Sequence, residues 1–427
     1  MSAGRLVILC GAGLSMAPPS SLPSAWRVAE MCFDEYRLTI DPLIDPALRN
    51  NLEALAEHFA GLKTLRAVFI EHLVPWNEFV RPPNPGHAAV ADFLITKIVV
   101  AGLSSNYDTL IERRAWDYGA DLRGSLDGEQ ATVASYKQAP LLKFHGCSHI
   151  DRGSTVWAPS QLHDATVSDR IAKSKIWMAA NLRQKDMLVV GFWSDWDYLN
   201  RVLGDAVQGL DPLSVTVIDP SPTATLQTKA PGLWALANQP QVTFSHIQES
   251  GADALDDLRR AFSENYARQV LAAGSTVFTG KTGLACDPAW LTVAGLDGEA
   301  LYDWRRDAEG VPAGKPATSK SPQNADLLGY FHLLLRCAGA VQQSRGYTFA
   351  GQSIRVVNGA GADLSTVAKR FIEAPAAPTA DVFVAAGSMD LGLPGHLVRP
   401  GIAGSVVRPG ASGKWLTIEQ AQAELGI

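Results

Sequence analysis

Four short stretches carry residues that could do chemistry, and each follows a run of β-forming residues. The first is Gly11-Ala12-Gly13-Leu14-Ser15, behind Val7-Ile8-Leu9-Cys10. The second is Ser105-Asn106-Tyr107-Asp108, the third His145-Gly146, and the fourth Gly191-Phe192 with Asp195 and Asp197 close behind. A glycine turn after a first strand can present backbone N–H groups to a phosphate; a Cβ at Gly11 or Gly13 would block either the tight turn or that approach. Asn106 offers a donor and an acceptor, so it can orient a water or a sugar hydroxyl. His145, with an ordinary pKa of about 6.5, can take a proton near neutral pH. Asp108 could hold Asn106 or its loop, or stabilise positive charge developing on a substrate.

These residues need strands to deliver them. Apolar runs at 7–10, 97–103, 139–144, 187–193, 214–218 and 242–244 read as strands, the fifth ending in Asp219-Pro220. Between them, apolar residues at three- and four-residue spacing predict helices over 25–38 (with Ser24 as N-cap), 46–59, 62–73, 86–94 and 109–116, one ending near 207, and one over 252–271. Strands alternating with helices predict an α/β fold, a Rossmann-like doubly wound parallel sheet, and in such sheets ligands bind beyond the C-terminal strand ends. The Rossmann fingerprint wants a third glycine where Met16 stands, so the turn departs from that of an ordinary dehydrogenase. The Pro-rich stretch 17–24 reads as a loop that could cover the turn.

Beyond residue 273 the character changes. Residues 310–321 read as a loop or hinge and 324–343 as a helix. Two further strand-plus-glycine units follow at 354–361 and 381–387. The chain therefore divides into a catalytic-type domain, 1–273, and a second, smaller α/β C-terminal domain, 274–427. Thr279-Gly280-Lys281-Thr282 resembles the end of a phosphate-binding loop, but the glycine that should begin it falls on Ser275, so it reads as a turn.

A formal net charge of −6 with 19% charged residues leaves no electrostatic footprint for nucleic acid. Five scattered cysteines without a CxxC pair argue against a disulfide framework and against a zinc site. No apolar run approaches the roughly 20 residues that span a bilayer, and the N-terminus lacks a signal peptide's pattern. A cytoplasmic protein that binds neither membrane nor nucleic acid is expected.

In their order and separations the four strand ends resemble the sirtuin-like superfamily over roughly residues 4–270. The resemblance implies that the turn from Gly11 cradles the pyrophosphate of NAD+ on Ala12, Gly13 and Ser15. It implies that Asn106, with Asp108, lies on the nicotinamide-ribose side, and that His145 is the base facing the ribose hydroxyls. Gly191, Phe192 and Asp219 would hold the rest of the dinucleotide. Deacylating members carry a zinc module with paired CxxC motifs after the histidine; here Cys147 is the only cysteine between Cys32 and Cys286. The family's G-I-P-D-F-R run is replaced by Leu22-Pro23-Ser24-Ala25-Trp26-Arg27. In both respects the chain resembles the sirtuin-like enzymes of prokaryotic antiphage systems, which hydrolyse NAD+.

That resemblance implies an NAD+ glycohydrolase that uses no metal and acts in antiphage defence by NAD+ depletion. Control would come from homo-oligomeric assembly or from a HerA-like ATPase partner. An NAD+ or ADP-ribose sensor without catalysis and an NAD+-dependent deacylase are the alternatives. Simpler structural roles also stand beside each residue: a packing turn for the glycines, an Asx-turn for Asp108, a buried strand-end histidine for His145.

Overall fold

In this computed structural model the described residues are 4–192, 211–293, 295–317, 321–375, 378–390 and 413–427. Asp195, Asp197, Trp193, Trp196 and the helix expected to end near 207 lie outside them. The chain forms two compact units, one of Met1–Ala115 with Leu122–Asp256 and the other of Trp116–Asp121 with Asp257–Ile427. The boundary expected at 273/274 falls inside a continuous helix, Gly251–Thr282.

The first unit is built on a seven-stranded sheet of order β3-β4-β2-β1-β5-β6-β7. Its strands are β1 (Leu6–Cys10), β2 (Val99–Ser104), β3 (Gly124–Ser125), β4 (Leu141–Leu142), β5 (Asp186–Val190), β6 (Ser214–Ile218) and β7 (Thr243–Ile247). Every pairing is parallel. The strands β1, β2 and β5 at the middle of the sheet are largely apolar because both faces are covered. Val7, Leu9, Met187 and Val189 pack with Trp177 and Met178 on one face. On the other face Gly102 lies against Leu94, and Val190 against Gly251.

The register sets the site. Cys10 pairs with Ser104 and with Val190, and Val190 with Ile218. The next residues, Gly11, Ser105, Gly191 and Asp219, therefore leave the sheet at one level. From β1 the chain runs to β2 on one side, and β5 returns on the other, so the topological switch point lies at the β1–β5 crevice.

Above that crevice sits a small aromatic-rich layer holding Phe33, Phe59, Phe69, Trp76, Tyr107 and Trp157. Its first helix runs Ala25–Thr39, with Ser24 accepting the Arg27 N–H as expected. The expected helix at 46–59 is instead a 3-10 turn, Pro46–Leu48, followed by Leu52–Gly61, because Asn51 caps a fresh start. The segment expected as a helix over 62–73 forms a π-helix, Leu65–Leu73. The helix Pro85–Ile95 opens on a capping box in which Asn84 and His87 each bond the other's backbone.

The second unit carries a five-stranded sheet of order β12-β11-β10-β9-β8. Its strands are β8 (Val341–Gln343), β9 (Gly346–Phe349), β10 (Gln352–Asn358), β11 (Val382–Ala386) and β12 (Lys414–Leu416). The two expected strand-plus-glycine units are β10 and β11, which pair in parallel. The helix expected over 324–343 stops at Cys337, and β8 begins an antiparallel hairpin with β9. Thr279–Thr282, expected as a turn, is the last turn of the helix that begins at Gly251. Among the described residues no helix is long and apolar enough to cross a membrane.

Candidate active site

At the crevice between β1 and β5 lies a cavity of about 150 Å3. Its floor is the glycine turn and Gly191. Its roof includes Leu22 and Pro23 of the Pro-rich loop, with Val28 and Phe79, and its far wall carries Asn106, Asp108 and His145. The loop is pinned by the Asn84 side-chain amide, which donates to the Leu14 and Ala17 carbonyls, and by Ser20 Oγ donating to Pro82 O.

A buried polar chain runs behind the wall. The Asn84 backbone N–H donates to His87 Nδ1 at 3.1 Å, which leaves the proton of the neutral ring on Nε2. Nε2 lies 3.1 Å from Ser15 Oγ, whose hydroxyl donates to Asp108 Oδ2 at 2.9 Å. Asp108 Oδ1 accepts the Leu110 N–H, the expected helix-start turn. Asn106 Nδ2 donates to both Gly11 O and Ser15 Oγ, at 3.0 and 3.1 Å. Both amide hydrogens of Asn106 are thus committed, while its Oδ1 is buried and has no partner among the described residues.

His145 sits at a sharp turn after β4. Gly146 has φ +108, and a Cβ there would lie 2.8 Å from Thr155 Cα, so glycine is required. The imidazole stacks on Tyr107 (5.1 Å between centroids, 18°), and Tyr107 stacks on Trp157 (4.3 Å, 22°). Burial pushes the His145 pKa down to about 3, helped by the nearby Arg170 and opposed by a hydrogen bond to the Ser105 backbone. The ring is neutral at physiological pH and a weaker base than its ordinary pKa implies. His87 is likewise lowered, to about 4, by burial. Beneath the 105–109 loop, the buried Lys143 ammonium donates to Asp108 O and lies 3.2 Å from Glu112. Burial works against the Lys143 charge, but Glu112, Cys147 and Asp108 together outweigh it and raise the Lys143 pKa.

The structure brings together most of the residues singled out from sequence. Gly11, Ala12, Ser15, Asn106, Asp108, His145, Gly191 and Phe192 all line the cavity. Gly13 does not line it: its N–H donates to Gly191 O at 2.9 Å, and the Gly11 N–H donates to Val190 O. The Gly13 amide, expected to face the pyrophosphate, and the Gly11 amide beside it are therefore tied to β5 and its exit. Asp219 also stands apart, its Oδ1 accepting the Ser221 N–H and its side chain 4.0 Å from Lys229 Nζ. Sequence reasoning missed Tyr107 and Trp157, which line the cavity, and His87 and Lys143 behind it. The only local signal for His87 is the Asn84-x-x-His87 spacing of a capping box.

No protein-family model matches this chain, and no curated protein matches it. Among solved structures it is similar to a Sir2 homologue in complex with NAD, at 16% identity over 60% of this chain and 88% of that one, with a TM-score of 0.33. It is also similar to a Sir2 enzyme solved to explain mechanism and regulation, at 17% identity over 61% and 93%, TM-score 0.33. A third is an ADP-ribose complex of a mutant Sir2 homologue, at 17% identity over 60% and 93%, TM-score 0.33. Superpositions this loose leave the site to be read from the chain's own geometry.

Proposed function

We propose that this protein is an NAD+ glycohydrolase, cleaving NAD+ to nicotinamide and ADP-ribose at the β1–β5 crevice. The observation that carries this reading is Asn106 Oδ1, a buried acceptor on the cavity wall without a partner among the described residues. A buried carbonyl oxygen of this kind costs about 1–3 kcal/mol when unpaired, and a ribose hydroxyl or an attacking water would satisfy it.

The chemistry asks little of an acid. Nicotinamide leaves C1′ with the bonding electron pair as a neutral amide, so the site needs a fixed ribose, exclusion of bulk water and one placed nucleophile. A water oriented by Asn106 forms the new C1′–O bond. Once that bond forms, the water oxygen carries a positive charge and is strongly acidic, so even the weakly basic His145 can accept its proton. Asp108 holds the wall through Ser15 and stabilises positive charge on the sugar. Gly11, Ala12 and Ser15 would contact the phosphate-side portion of the dinucleotide and Gly191 and Phe192 its continuation, with Gly13 and Asp219 acting by shaping those contacts. The role in antiphage defence by NAD+ depletion, and restraint by homo-oligomerisation or by a HerA-like ATPase partner, rest on the motif resemblance. So does the assignment of residues beyond 273 to regulation, assembly or partner binding.

A sensor that binds NAD+ without cleaving it is the competing reading, favoured by the low basicity of His145. Nicotinamide release from NAD+ by the purified protein, alone and with its neighbouring gene products, decides between them. Release abolished by His145→Ala supports the glycohydrolase; NAD+ binding without release under every condition supports the sensor.

A further inference from the structure

Ser15, His87 and Asp108 form a hydrogen-bonded trio of the residue types found in serine hydrolases, but its polarity runs the other way. In a nucleophilic triad the histidine accepts the serine proton. Here the Asn84 backbone N–H occupies His87 Nδ1, so the ring reaches Ser15 as a donor through Nε2, and the serine proton goes to Asp108. Ser15 Oγ also accepts from Asn106 Nδ2. With two bonds accepted and one donated, the hydroxyl is saturated and is not a nucleophile. The ring lies in the interior and is neutral, which is what a single proton on Nε2 requires.

We infer that His87 is a positioning residue that fixes, through Ser15, which end of the Asn106 carboxamide faces the cavity. Ser15 accepts the Asn106 N–H while its own proton is directed to Asp108, and donation from His87 closes the alternative direction, toward Nε2, to that proton. Gly11 O, a pure acceptor, supplies the second hold on the Asn106 NH2 group. The two together aim Oδ1 at the cavity. Without the donation from His87, the Ser15 proton is no longer confined to Asp108 and the hydroxyl loses one of the bonds that fix it, so the Asn106 carboxamide loses the fixed acceptor that is one of its two determinants. This inference rests on the glycohydrolase reading for its kinetic consequence but not for its structural content.

Two conservative variants separate positioning from capping. His87→Gln keeps an N–H donor at the distance of Nε2 and gives up the Nδ1 acceptor; His87→Asn keeps an acceptor for the Asn84 N–H and gives up the donor to Ser15. Positioning predicts that His87→Asn lowers kcat by roughly tenfold to a hundredfold with KM within about threefold, whereas His87→Gln retains most of the turnover. The opposite ranking, or equal turnover in both, overturns it. Nitrogen-15 NMR of histidine-labelled protein provides a readout independent of activity. A neutral His87 protonated on Nε2 at pH 7.5 is expected; an Nδ1–H or cationic ring overturns the proposed polarity. If wild-type protein releases no nicotinamide while NMR shows the Nε2–H form, the glycohydrolase reading fails and the hydrogen-bond polarity stands.

Discussion

Gly13 and Gly191 are locked together: the Gly13 N–H donates to the Gly191 carbonyl at 2.9 Å, and a Cβ on either would come within 2.7 Å of the other's Cα. The turn after β1 and the exit of β5 are therefore one structure. Gly191 also holds φ +57, where an L side chain is strained.

Gly191→Ala is expected to lower stability by about 1–3 kcal/mol or more, because strain at positive φ adds to a 2.5 Å approach to the Leu14 nitrogen. A urea titration followed by circular dichroism reads this as a lower midpoint at unchanged slope. An unchanged midpoint would mean that the two loops separate easily.

Lys143→Met should be severe. It leaves Glu112 buried without its cation and frees the Asp108 carbonyl, and breaking such a pair costs about 3–5 kcal/mol. The double variant Lys143→Met with Glu112→Leu should recover much of that stability. It should not recover turnover, since the Asp108 carbonyl then lacks the ammonium donor that holds it. Thermal unfolding of the three variants alongside nicotinamide release makes the comparison.

Asn106→Asp replaces the one amide nitrogen that donates to both Gly11 O and Ser15 Oγ with a carboxylate oxygen that can donate to neither. Loss of one preorganised polar group in an active site costs about 10^2–10^3 in kcat, and a loss of this order is expected here with the fold intact. Wild-type turnover in this variant would remove Asn106 from the mechanism.

Acid should destabilise the protein well above the pH at which carboxylates titrate. His87, His145 and His332 are buried and neutral, with burial lowering their pKa values to about 4, 3 and 3. The unfolded chain takes up these protons near pH 6.5, so below that pH it binds more protons than the folded state. The stability these groups contribute is therefore present above pH 6.5 and lost as pH falls toward 4 and 3, at about 1.4 kcal/mol per pH unit for each histidine. Urea midpoints measured between pH 7.5 and 5 should fall accordingly. His332→Gln, outside the candidate site, should flatten the slope by one histidine's share.

The strands were legible because β1, β2 and β5 are buried on both faces and so carry nearly continuous apolar runs, and because β6 alternates Ser214 and Thr216 with the buried Val215 and Val217. β3 was not, since two residues, Gly124 and Ser125, leave no periodic signal. The hairpin of β8 and β9 was hidden because helical spacing from Ala325 runs on past Cys337 into Val341, and only Gly339, at φ +84, marks the stop. At the site, Asn106, Asp108 and His145 could be read because each directly follows a strand. Trp157 and His87 could not, because their partners are distant in sequence. Trp157 reaches Tyr107 from between two short 3-10 turns, and His87 reaches Ser15 across 72 positions. The commitment of the Gly11 and Gly13 amides to β5 also needed coordinates, because a glycine turn reads alike whether a phosphate or a neighbouring strand fills the space its missing Cβ leaves.

The unpartnered Asn106 Oδ1 bears on selectivity as well as on rate. A site that keeps a bare acceptor in its wall rejects any analogue lacking the matching donor, because binding then seals the acceptor away from water for good. Discrimination by such a missing hydroxyl reaches about 10^4–10^5 where a simple size difference gives only 10–200-fold. A carbonyl oxygen can accept twice, so on the glycohydrolase reading, with the attacking water in one place and a ribose hydroxyl in the other, a deoxyribose analogue of NAD+ lacking that hydroxyl would be turned over poorly although it is smaller than the substrate.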